Sequence, residues 1–171
     1  MARTKFSEKI IIKCSREAAF DFTQDYGNRL KWDTFLKKAE LIDGATKAGI
    51  DVKANCVAKN GLGMITEYIS FNRPEGTAVK MTKGPFMFRS FAGSWKFARL
   101  EPEVTEVTFI YSFELRWPFG IFQRKVNSKL QTEVKQRLLD LKNNIEANLH
   151  KIRIDLLLVN CRGSQARPTT G

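Results

Sequence analysis

The chain has 171 residues, with 29 Lys and Arg against 18 Asp and Glu for a net charge of +11, and it is 43% hydrophobic and 27% charged. That is one domain's worth of sequence with enough apolar content for a core, and no apolar run approaches the roughly 18 residues that a membrane span needs. Cys14, Cys56 and Cys161 are odd in number and far apart, which speaks against a disulfide framework or a zinc site. With no apolar signal core in Met1–Glu8, the expectation is a cytoplasmic protein.

The basic excess would favour an anionic partner such as nucleic acid, a ribosome or lipid headgroups. Its densest points are Lys37-Lys38, Arg124-Lys125 and the Lys135/Arg137/Lys142 group. None forms the long run of a dedicated basic tail, so a solubilising surface is the first reading.

In chain order, Phe6–Cys14 carries three consecutive β-branched residues, Ile10 to Ile12, and reads as a strand. Ser15 offers an N-cap to a short helix with Glu17 in its first turn and Ala18, Ala19 and Phe22 on one face. Gly27 is expected to end that helix with a positive φ. Asn28 then opens a second short helix whose apolar content is Leu30, Trp32, Phe35 and Leu36.

Strand patterns follow at 38–42, 51–58, 64–72, 77–82, 88–100 and 105–116. They are separated by Asp43-Gly44, Asn60-Gly61-Leu62-Gly63, Arg73-Pro74-Glu75-Gly76, Lys83-Gly84-Pro85 and Glu101-Pro102-Glu103. The short gaps imply antiparallel hairpins. Val107, Phe109, Tyr111, Phe113 and Leu115 share one face of the last strand, and Phe91, Gly93, Trp95 and Phe97 share one face of the strand before it. The two aromatic faces coincide only if the connection between them holds an odd number of residues. The parity of the 64–72 strand stays open. One pairing turns Tyr68 inward beside Met81, whereas the other turns Glu67 inward with Cys56.

Trp117-Pro118-Phe119-Gly120 breaks the last strand, and Phe122, Val126, Leu130, Val134, Leu138, Leu141, Ile145 and Leu149 then recur in steps of three and four, the stripe of one long amphipathic helix. The expected organisation is a single domain over 1–150. Residues 151–171 are expected to be a helix extension followed by a tail that is disordered or introduced in cloning.

Histidine occurs once, as His150, so neither a Ser-His-Asp nor a Cys-His site can be assembled at the aromatic sheet. There is no metal-ligand spacing, and Gly61-Leu62-Gly63 joins two strands rather than cradling phosphate. Acid–base chemistry is left with Glu67, Tyr68, Asp33 or Tyr111.

The segments Lys9–Cys14, Arg16–Phe22 leading to Asp25-Tyr26, Asn28-Arg29-Leu30-Lys31-Trp32-Asp33, Asn72-Arg73-Pro74 and Gly93-Ser94-Trp95-Lys96-Phe97, with the closing helix, resemble the START-like, or SRPBCC, superfamily. This is the polyketide cyclase/dehydrase, lipid-transport and birch-allergen-like group of helix-grip proteins. The resemblance spans about residues 5–149. It implies an α+β helix-grip fold: a seven-stranded antiparallel sheet wrapped around a long C-terminal helix, two short helices after the first strand, and a ligand cavity between sheet and helix. Members bind lipids, sterols, polyketides or other hydrophobic molecules. Some are cyclases or dehydratases, some activate chaperones, and a basic branch associates with ribosomes. The histidine and the paired acid or arginine residues of the enzymatic branches find no clear counterpart in the sequence.

The expectation is therefore a non-enzymatic carrier or sensor of a hydrophobic small molecule, without metal or cofactor. The cavity wall is expected from Trp32, Tyr68, Phe91, Trp95, Phe97, Phe109, Tyr111 and Phe113, with Phe122, Val126 and Leu130 on the lid helix. The basic surface would allow transient contact with anionic membranes. The alternatives are a cyclase or dehydratase using Glu67 or Tyr68, and a basic ribosome-associating module in which Lys37, Lys38, Arg124, Lys125 and Lys129 merge into one patch.

Overall fold

A computed structural model of the chain describes residues 3–163, with side chains through Lys151. Strand β1 (Thr4–Ile12) is followed by helices α1 (Arg16–Gln24) and α2 (Arg29–Trp32). Then come β2 (Leu36–Leu41), β3 (Lys53–Ala58), β4 (Gly63–Asn72), β5 (Gly76–Lys83), β6 (Phe88–Glu101) and β7 (Val104–Leu115). A 3-10 turn, Phe119–Phe122, leads into helix α3 (Gln123–Gly163). The strands form one antiparallel sheet in the order β1-β7-β6-β5-β4-β3-β2. This is the expected helix-grip architecture. Of the expected tail, residues 151–163 continue α3, and residues 164–171 lie outside those described.

Each short hairpin follows from its turn chemistry, and bulges set the faces. Opposite β7, Phe97 pairs with Val107 and Trp95 with Phe109, while a register shift between Arg99 and Glu101 supplies the odd residue that brings the two aromatic faces together. A second shift, between Tyr68 and Ser70, settles the parity of β4. It lets Tyr68 and Phe71 both face inward although three positions separate them. Glu67 is left on the outer face, 3.4 Å from Lys80.

Ser15 caps α1 as expected, its hydroxyl accepting the Ala18 N–H at 3.3 Å. The helix stops at Gln24 rather than at Gly27. The Asp25 carboxylate accepts the Gly27 N–H at 2.9 Å, so a side-chain turn does the work expected of a positive φ. Among the described glycines, positive φ is confined to Gly44 and Gly61. Gly76 serves a different purpose. A Cβ there would lie 2.4 Å from the Trp95 backbone carbonyl oxygen, where no flexible side chain can yield. Gly76→Ala is expected to cost about 1–3 kcal/mol by forcing β5 and β6 apart, read as a lower urea midpoint. An unchanged midpoint would show that the hairpin can open freely.

Helix α3 has two parts. Val134, Leu138, Leu141 and Ile145 are fully buried against Ile12, Val107 and the rest of the core. Lys142 Nζ donates to the Ile11 carbonyl at 2.8 Å, and the Glu146 carboxylate accepts the Lys13 N–H at 2.9 Å, which ties this part to β1. Further toward the N-terminus, Val126 and Leu130 are only half-buried and Phe122 is exposed. Here the helix stands off the sheet, and a cavity opens beneath it.

Candidate functional site

The cavity is about 450 Å³, within the roughly 300–1,000 Å³ usual for small-molecule sites. Its helical wall runs from Phe122, at the end of the 3-10 turn, along α3 to Arg137. Of the wall residues expected from sequence, Tyr68, Phe91, Trp95, Phe109, Tyr111, Phe122, Val126 and Leu130 line it. Trp32, Phe97 and Phe113 are fully buried in the core beside it. Phe97 packs edge-on against Phe20 of α1 with ring centroids 5.5 Å apart. Phe113 lies behind Phe88 and Phe91, at 5.8 and 6.4 Å. Trp32 is covered by Phe22 and by the Arg29 guanidinium. Alternation places a ring on the inner face, but not among the rings that reach the void.

One end of the cavity is polar. Asp33, just after α2, is fully buried and accepts from both flanking arginines: Arg29 Nε at 2.9 Å, Arg137 Nη2 at 2.8 Å and Arg137 Nε at 3.1 Å. Burial alone would push the Asp33 carboxyl up, but Arg137 and then Arg29 hold it below the ordinary carboxylate value. Burial likewise opposes the Arg137 charge, and Asp33 more than restores it.

Two donors at this end remain free. Arg137 Nη1 donates to the Tyr111 hydroxyl at 2.7 Å, so the Tyr111 O–H points its own hydrogen elsewhere, and it has no acceptor among the described residues. Arg29 Nη1 is spent on the Thr23 carbonyl, while Nη2 has no partner among the described residues. Burial raises the Tyr111 phenol above its usual value despite Arg137, so at neutral pH it is a donor.

On the opposite wall Tyr68 donates to Gln24 at 2.8 Å, and its oxygen lies 3.2 Å from the Tyr26 hydroxyl. With the Tyr68 hydrogen engaged, Tyr26 is the donor of that pair. Tyr68 is thus tied off rather than offered to a ligand, although it faces the void. Burial also pushes the Cys56 thiol up, which keeps this wall residue protonated and a poor nucleophile. No group of three His, Cys, Asp or Glu able to hold a metal occurs among the described residues.

Arg29 and Arg137 are absent from the expected wall, yet both had a signal. Arg29 and Asp33 stand at i and i+4, and Arg137 interrupts the apolar stripe of α3 beside Leu138. A charge inside an apolar stripe needs a buried partner. Here an acid–arginine group does exist, assembled from α2 and α3 across 104 residues.

The cavity also opens to solvent. The exposed lining residues are Asn60 and Leu62 on the β3–β4 hairpin, and Phe122, Lys125 and Lys129 at the start of α3. No helix among the described residues is long and apolar enough to cross a membrane.

Solved structures share this architecture. The ZhuI aromatase/cyclase of Streptomyces sp. R1128 superposes with a TM-score of 0.74 at 10% identity, over 86% of this chain and 96% of that one. A Thermus thermophilus protein gives 0.72 at 18% identity, over 85% and 99%. A START superfamily protein of Mycobacterium smegmatis gives 0.69 at 13% identity, over 84% and 97%. Among curated proteins, none matches the sequence significantly. Residues 3–146 match the family described as polyketide cyclase / dehydrase and lipid transport, and with the helix-grip fold and its apolar cavity the chain belongs to that family, a START-like hydrophobic-ligand-binding module.

Proposed function

We propose that the protein is a non-enzymatic carrier or sensor for an elongated hydrophobic small molecule with one oxygen-bearing end. The observation that carries this reading is the polarity of the cavity along its length. Most of the wall is apolar, and two unspent donors, Tyr111 O–H and Arg29 Nη2, lie together beside the buried Asp33–Arg137 group. Apolar burial at about 25 cal/mol per Å² supplies affinity, while two fixed donors orient a carbonyl, hydroxyl or carboxylate. The shielded thiol, the tied-off Tyr68 and the outward Glu67 leave few groups for turnover.

One observation favours a second reading: the Tyr111 hydroxyl, polarised by Arg137, could protonate a carbonyl as a cyclase or dehydratase requires. Tyr111→Phe separates the two. In a carrier it removes one neutral hydrogen bond, and affinity for a copurified ligand identified by native mass spectrometry falls about threefold to tenfold. In an enzyme, turnover falls by 10²-fold or more with little change in binding. Native protein that retains no hydrophobic molecule and binds none from a lipid extract would sink the carrier reading.

A further inference from the structure

The mouth of the cavity is flanked by large apolar side chains that are mostly exposed to solvent. Trp117 is 82% exposed, Ile121 80% and Phe86 75%, with Leu62 and Phe122 about half exposed. They come from three separate segments, yet the structure gathers them at one end. Leu62, Pro85, Met87 and Phe122 all line the same cavity, and Phe86 packs edge-on against Phe119 at 6.3 Å. Scattered exposed residues need no explanation, but a contiguous apolar rim does.

The charges around this rim are equally one-sided. The three segments, residues 59–66, 83–89 and 116–132, hold seven basic residues and no acidic one. Arg89 and Lys129 pair with Glu114 and Glu133, whereas Lys83, Arg116, Arg124 and Lys125 have no acidic partner among the described residues. Arg116 instead lies over the Phe86 ring at 5.2 Å, so the cation and the aromatic wedge form one unit.

We propose that this rim docks the protein on an anionic lipid bilayer. Tryptophan and phenylalanine would sit at the headgroup–acyl boundary, and the cations beside them would meet anionic headgroups. The apolar side chains of the rim, Ile121 and Leu62 included, suit an acyl boundary better than base stacking or a polar protein surface. The cavity opens through this face, and its polar end lies further along α3, at Arg137. A ligand therefore enters polar end first, and its apolar end leaves the bilayer last without crossing water. The surface adds to the carrier reading without depending on it, because adsorption is measured with no cavity ligand present.

Tryptophan emission reports the docking directly. Trp32 and Trp95 are buried at 1% and 7% exposure, so a blue shift on adding vesicles comes from Trp117. The full chain is expected to bind vesicles of phosphatidylcholine mixed with phosphatidylglycerol, to bind pure phosphatidylcholine much less, and to dissociate as salt is raised. Lys83→Gln with Arg124→Gln should weaken binding about fivefold per charge. Trp117→Ala with Ile121→Ala should weaken it at least about tenfold. Neither pair lines the cavity, so uptake of a dansylated fatty acid should be unchanged in both, which keeps a failure here distinct from a failure of the carrier reading. Ile121→Glu provides a second variant at a solvent-facing site. Equal binding to neutral and anionic vesicles, or binding indifferent to the Trp117/Ile121 change, overturns the proposal. So does tighter binding to single-stranded RNA than to anionic vesicles, or a dimer in free solution that Trp117→Ala with Ile121→Ala dissociates.

Discussion

Asp33→Asn is expected to destabilise the protein by about 3–5 kcal/mol, because it keeps the shape of the side chain while leaving two buried guanidinium groups without their counter-charge. For a domain of this size each kcal/mol moves the melting temperature by about 2–4 °C, so a thermal melt should fall by roughly 10 °C or more. The pH dependence has a definite sign. The folded Asp33 carboxyl lies below its ordinary value because Arg137 and Arg29 outweigh its burial. Its contribution is therefore complete above the unfolded carboxylate pKa and is lost as pH falls through the lower folded value. Wild type should lose stability toward acid by this route, and Asp33→Asn should lose less over the same range. A variant replacing the group with apolar residues, Arg29→Met with Asp33→Leu and Arg137→Met, should regain much of the loss, since buried ion pairs seldom out-stabilise packed side chains. If that triple variant also binds ligand as tightly as wild type, the cluster is structural and the polar end of the site lies elsewhere.

The group was hard to read from sequence because its members are local in one half and distant in the other. Arg29 and Asp33 are one helical turn apart and legible as a pair, but their third partner arrives on a helix 104 residues later. The fold is better encoded. Alternation along β6 and β7 and the step pattern of α3 each specify a face from consecutive residues alone, and the turn residues fix hairpin lengths. Bulges are where such reasoning stops. The extra residue between Tyr68 and Ser70 costs the strand one ladder position and reverses which side chains face inward, and nothing in Glu67-Tyr68-Ile69-Ser70 announces it. The same limit applies to Trp32, Phe97 and Phe113. A periodic pattern tells inside from outside, whereas the difference between filling a core and lining a void depends on how far α3 stands from the sheet.

That stand-off makes a decisive test of the cavity possible. Val126→Trp places a large ring on the half-buried face of α3 where it roofs the void, so the new atoms take up empty space rather than displacing packed neighbours. A comparable enlargement at Val134, which is fully buried, would overpack the core and cost about 1–3 kcal/mol. At Val126 the ring instead gains apolar contacts on one side, and the melting temperature should hold within a few degrees, since no packed layer must move. Ligand uptake should fall by a hundredfold or more, because the added ring lies one helical turn inside Phe122, between it and the donors at Tyr111 and Arg29, and an elongated molecule cannot pass it. Isothermal titration with the ligand recovered from native protein, or with a dansylated fatty acid, measures the loss. A stable Val126→Trp that binds either probe as well as wild type would mean that binding does not use the space beneath α3. A stable, ligand-free variant that still adsorbs to anionic vesicles would separate two functions of the molecule: adsorption through the rim, and ligand uptake in the chamber beneath α3.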